Sequence, residues 1–127
     1  MTQQTLQAAI SELGEDIRVE GNVLHFTFDG QPLACISDPG HDRMRVVTPI
    51  IKEDELDAEL MKVLLHANFH SALDGRYATG NGVVYGAFIH PLTPLTYTEL
   101  ESAVRQVACL RKNFGTSFSS GELVFGG

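Results

Sequence analysis

Residues 64–70, "LLHANFH", carry two histidines four positions apart, His66 and His70, with Asn68 between them. On a helix this spacing puts two imidazoles on one face, which is how a zinc site begins, and Asp74 downstream adds a possible oxygen ligand. The hydrolytic form of the motif needs a glutamate directly after the first histidine, and Ala67 stands there. The helical pattern also stops near Phe69, which would swing His70 away from His66. The pair is therefore read as a helix end whose imidazoles are solvated, cap carbonyls or sit near a subunit seam, and no metal ligand is assigned. Asn68 suits that place through its tolerance of left-handed backbone or through a hydrogen bond across the turn.

Other reactive residues fail the same test. His41, with Asp38 and Asp42, falls at a hairpin tip where Asp and Gly serve turn geometry. Cys35 and Cys109 are distant in sequence and form no CxxC pair, so reduced, packed thiols are expected. "GNG" at 80–82 lacks the Lys-Ser/Thr of a phosphate loop and leads into an apolar strand pattern, so its glycines shape a turn. No catalytic residue and no cofactor is assigned.

The chain that must position these residues is short, at 127 residues of which 43% are apolar, enough for one core. Nine basic and sixteen acidic residues give a net charge of −7 without a basic cluster. Such a field repels phosphate backbones and anionic lipid, so neither nucleic acid nor membrane is expected as a partner. No apolar run approaches the roughly 20 residues of a membrane span, and "MTQQTLQAAI" lacks the charged start and apolar middle of a signal peptide. A cytoplasmic protein is expected.

Leu6, Ala9, Ile10 and Leu13 recur at helical spacing across residues 2–13, between a capping Thr2 and Gly14. From 17 to 50 the period becomes two, punctuated by Gly21-Asn22, Asp29-Gly30 and Asp38-Pro39-Gly40, which predicts a three-strand meander with a possible extra edge strand at 16–20. Leu24, Phe26 and Phe28 share one strand face, the expected core side; Val23, His25 and Thr27 share the other. Helical period returns over 53–69, with "EDELDAEL" as an acidic first turn and a broad stripe of Leu56, Leu60, Val63, Leu64 and Ala67, widened by Met61 and Leu65. A hairpin turning at Gly80-Asn81-Gly82 follows, and its second strand, 83–89, is apolar on both faces, so cover on both sides is expected. Thr96 and Glu99 have capping-box spacing ahead of a last helix running to about Asn113 or Gly115.

The predicted fold class is α+β, an antiparallel sheet with three helices in the order α-βββ-α-ββ-α, the first and third helices on one sheet face. Residues 1–115 are expected to form the single domain, and 116–127, "TSFSSGELVFGG", whose second half is apolar only at Leu123, Val124 and Phe125, are expected to form a flexible tail.

"LLHANFHSALDGRYATGNGVVYGAFIHPLTPLTYTELESAV" resembles the second half of the class I type III secretion chaperone-like superfamily, which includes the Tir-chaperone group and the YbjN-like proteins. The shared parts are a helix ending in Leu64-Leu65 and Asn68, the glycine turn at 80–82, the strand into a proline-containing link at 83–92, and the helix from Thr96. "LQAAISELG" and "MRVVTPI" match the first half more loosely, while "ELVFGG" has no counterpart and could lie where cargo would sit. The resemblance implies an acidic homodimer with no catalytic centre, in which the middle helix and adjacent strands of two chains meet. In the secretion branch such dimers hold an extended segment of a secreted protein at sheet edges and in apolar pockets. The candidate dimer-interface residues are Leu60, Met61, Leu64, Val84 and Phe88, because this helix and strand carry more apolar surface than one chain comfortably covers.

The expected function is thus a non-enzymatic dimeric chaperone or adaptor binding an extended segment of another protein, a secreted effector or a regulatory partner. The alternatives are a YbjN-like regulatory or structural protein that binds a folded partner, and a metal- or small-ligand-binding protein.

Overall fold

The computed structural model describes residues 1–114; Gly115 and the tail expected at 116–127 lie outside the described residues. Helix α1 spans Gln3–Leu13. The Thr2 hydroxyl accepts from the Thr5 N–H at 3.2 Å, and the Thr5 hydroxyl accepts from the Thr2 N–H at 2.8 Å, so each satisfies an amide that the first turn leaves unpaired. Gly14 ends the helix with extended backbone. Its lack of a side chain admits Phe26, whose Cδ2 would lie 2.6 Å from an added Cβ.

Four strands follow, β1 (Glu15–Glu20), β2 (Val23–Phe28), β3 (Gln31–Asp38) and β4 (Arg43–Lys52). The edge strand allowed for at 16–20 is therefore present. Helix α2 (Ala58–His70), strands β5 (Arg76–Gly80) and β6 (Val83–Pro91), and helix α3 (Tyr97–Asn113) complete the chain. The six strands form one sheet in the order β1-β2-β3-β4-β6-β5, with every neighbouring pair antiparallel. Asp29 and Gly30 turn β2 into β3, and Asn81 and Gly82 turn β5 into β6; all four have positive φ, the twist that two-residue hairpins need.

The α+β architecture and the placement of the first and third helices are as the sequence predicts. Leu24 and Phe26, Leu33 and Cys35, and Met44 and Val46 alternate toward α1 and α3, where Leu6, Ile10, Leu100, Val104 and Val107 meet them at full burial. Gly86 lets α3 settle onto β6, since a Cβ there would sit 3.1 Å from the Leu110 Cβ and 3.2 Å from the Thr48 Cγ2. The capping box at Thr96 and Glu99 forms as expected.

Two local expectations change. "EDELDAEL" is not one first turn: Glu53–Glu55 form a separate 3₁₀ turn, and Asp57 caps α2 by accepting from the Leu60 N–H at 2.8 Å. The side chain of an aspartate at this position competes for the backbone and so resets the start of the helix. At its other end α2 continues through His70 to a Ser71 cap, one residue past the expected stop.

Candidate functional site

A sheet with two edges can accept another strand at either, and the two edges here differ. On β5, Tyr77 faces Gly86 of β6 in a position whose main-chain groups point outward. Asn68 of α2 fills that position: its Nδ2 donates to the Tyr77 carbonyl at 3.1 Å, and its Oδ1 accepts from the Tyr77 N–H at 2.7 Å. One side-chain amide thus replaces the peptide group of a further strand. The Tyr77 hydroxyl donates to the Leu110 carbonyl at 2.8 Å and binds the same edge to α3, and burial pushes that phenol far above its ordinary pKa. Of the two readings open for Asn68, the hydrogen bond across the turn is the one realised.

The β1 edge has no strand beyond it among the described residues. Glu20 pairs with Val23 across the Gly21-Asn22 turn and Arg18 pairs with His25, so Val19 between them directs its N–H and carbonyl outward. Its side chain is half exposed. A register shift between Glu15 and Arg18, with Asp16 at φ 54°, bends the start of this strand, and Glu15, Asp16, Arg18 and Glu20 line it with charge. These are the features that keep an open edge from pairing indiscriminately.

The sheet face opposite α1 and α3 has no helix of the described residues across it. Val23, Ala34, Ile36, Val47 and Tyr85 line a shallow concavity of about 400 Å³ on it. Ile89, on the same face of β6, is 58% exposed. Among the described residues β6 is therefore covered on one side only: Val84, Gly86 and Phe88 are buried against the helices, and the alternate side chains are not.

The residues foreseen for a dimer seam divide the same way. Leu64, Val84 and Phe88 are buried by their own chain, Leu60 is half-buried against the Leu64–Val84–Leu110 cluster, and only Met61 stands out. The exposed apolar ridge of α2 is one helical row further round, at Met61, Leu65 and Phe69, which is 85% exposed, and it extends to Leu73. The four-residue spacing of these side chains was visible in sequence, but which side of a helix apolar all round meets the sheet was not. A groove of about 380 Å³ runs between this ridge and β5, lined by Leu56, Met61, Leu65, Ala78 and Thr79.

The structure changes the reading of the paired histidines. Because α2 reaches His70, that ring does not turn away, and its centroid lies 4.3 Å from that of His66. The His41 Nδ1 lies 2.9 Å from the Asp38 carboxylate, which accepts from it on the hairpin tip, and Asp42 is engaged instead by the main-chain N–H and hydroxyl of Thr93. Cys35 is buried in the core, which pushes its thiol up to about 12, and Cys109 is half-buried in α3; both are free. No helix among the described residues is long and apolar enough to cross a membrane.

No protein-family model and no curated protein matches the sequence. Solved structures are. The chain superposes on one from the HopA1-SchA chaperone-effector complex with a TM-score of 0.61 at 10% identity, covering 87% of this chain and 95% of that one. A chain of the ExsC-ExsE complex gives 0.60 at 15% identity, covering 83% and 84%. The structure of the Yersinia pestis type III secretion chaperone SycH with a stable fragment of YscM2 gives 0.57 at 16% identity, covering 82% and 92%. With the superposition running over most of both chains, this protein has the fold of the type III secretion chaperones.

Proposed function

We propose that this protein is a non-enzymatic chaperone or adaptor that binds an extended segment of another protein, acts as a homodimer and works in the cytoplasm. The observation that carries the reading is the inequality of the sheet edges: Asn68 occupies β5 at Tyr77, whereas Val19 on β1 points its donor and acceptor outward with no strand of the described residues beyond them. An added segment gains main-chain hydrogen bonds at β1, and its alternate side chains reach the bare sheet face beside Val23 and Ile36. Backbone pairing tolerates varied sequence, which suits a carrier of unfolded segments. The likeness to chains from a chaperone-effector complex and from a complex of a type III secretion chaperone with a protein fragment supports the same reading. The dimer seam is assigned to the Met61–Leu65–Phe69 ridge with Leu60 at its margin, because a second copy is the simplest cover for a row of exposed apolar side chains.

The second reading, a YbjN-like regulatory or structural protein that binds a folded surface, is favoured by the breadth of the bare face, where Ala34, Val47 and Ala87 leave a shallow floor. Affinity capture from the native host followed by mass spectrometry, with wild type beside Val19→Pro, separates the two. Proline at this position removes only an outward N–H. Loss of a partner that wild type retains, together with protection of a short segment of it from protease, supports strand addition. A partner held equally by both proteins and only when prefolded supports the second reading, and retention of small molecules alone defeats both.

A further inference from the structure

Five histidines lie among the described residues, and three have a carboxylate: His25 meets Glu20 at 3.6 Å, His41 meets Asp38 at 2.9 Å and His90 meets Glu99 at 3.4 Å. His66 and His70 have none within ion-pair distance among the described residues; each ring meets the other, with centroids 4.3 Å apart and planes tilted by 40°. Both are exposed, one turn apart on a helix that holds its hydrogen bonding through His70. Two imidazole nitrogens bound to one tetrahedral zinc ion lie about 3.4 Å apart, given bonds of about 2.0–2.1 Å. The two rings already stand side by side, so chelation asks only for rotation about their side-chain torsions and no change of backbone.

We propose that His66 and His70 form a chelating site for a borderline divalent cation of the zinc, nickel and copper class. Imidazole selects these ions over magnesium and calcium, whose ligands are oxygens. The site is a binding site and not a hydrolytic one, since Ala67 occupies the place of the general base. No third His, Cys, Asp or Glu joins the pair among the described residues. Asp74 is withheld, its carboxylate accepting from the Gln106 Nε2 at 3.2 Å. Water therefore fills the remaining coordination positions. Lys62, one turn before His66, is the nearest basic residue on this helix, and Glu59 lies 3.9 Å from its ammonium.

Chelation across one turn would do more than hold an ion. Asn68 lies between the two ligands, so a cation fixing the last turn of α2 also fixes the amide that occupies the β5 edge at Tyr77. An ion bound to the folded chain and not to the unfolded one raises the unfolding temperature by mass action.

The test uses the untagged, metal-stripped full chain titrated with zinc chloride in a calorimeter, with thermal unfolding followed in parallel. The expected result is one ion per chain, a raised unfolding temperature and no competition from excess magnesium chloride. His66→Gln and His70→Gln should each abolish both effects while leaving the far-ultraviolet circular dichroism unchanged, and His41→Gln and His90→Gln should abolish neither. Absence of zinc binding by the wild type, retention of binding by both pair variants, or its loss in His90→Gln would overturn the assignment.

Discussion

The side-chain amide of Asn68 stands nine residues before Tyr77 and engages both of its main-chain groups, at 3.1 Å and 2.7 Å. Asn68→Ala leaves both groups without that partner, at a cost of about 1–3 kcal/mol. Asn68→Asp keeps the acceptor for the Tyr77 N–H and loses the donor, so it should fall between alanine and wild type. Urea denaturation of the three proteins gives the order, and equal midpoints would deny the contact a role in stability.

Gly14 is held by space and not by left-handed backbone. In Gly14→Ala the new methyl would sit 2.6 Å from the Phe26 Cδ2 and 3.1 Å from the Thr27 carbonyl oxygen. Relief requires α1 to lift from β2, with an overpacking cost of about 1–3 kcal/mol. An alanine variant as stable as wild type in chemical denaturation would show that the helix shifts freely.

Phe69 and Leu60 separate association from folding. Phe69→Lys alters a side chain that is 85% exposed, so the stability of the single chain should change by no more than about 0.5 kcal/mol, while light scattering should report a monomer. Leu60→Lys places charge against the Leu64–Val84–Leu110 cluster and should lower stability whatever the oligomeric state. An unchanged dimer in Phe69→Lys moves the seam elsewhere.

Acid should weaken the link between β6 and α3. Hydrogen bonds from the Thr96 N–H and hydroxyl hold the Glu99 carboxyl below its ordinary pKa, with His90 adding to the effect. The corresponding Thr93 contacts lower Asp42. The folded chain therefore binds these two protons less readily than the unfolded chain. Their stabilisation is present above the unfolded values of about 4 and is lost as pH falls through the lower folded ones. Stability measured from pH 6 downward should fall in that window, and Glu99→Gln should flatten the fall; a slope identical to wild type would remove Glu99 from the acid response.

The sequence discloses what depends on neighbours along the chain. The period-two runs, the Asp29-Gly30 and Asn81-Gly82 turns and the Thr96–Glu99 box are each contained in a few residues, and each forms. The candidate site depended on tertiary placement. Leu64 and Leu65 are adjacent and equally apolar, yet one is 5% exposed and the other 64%, a difference set by how α2 rolls against β5. His70 shows the limit at an element boundary: a single further residue of helix turns an apparent helix exit into a ring contact. Asn68 was legible as a turn-bridging side chain, but its partner on a strand edge was not, because strand registers are not written in either residue.

A sheet that could receive its own kind at both ends would propagate head to tail into a filament, each copy presenting a fresh terminus to the next. Here the amide of Asn68 takes the place of an incoming strand at Tyr77. Docking at that flank must first displace a side chain, whereas the opposite one asks for no such exchange among the described residues.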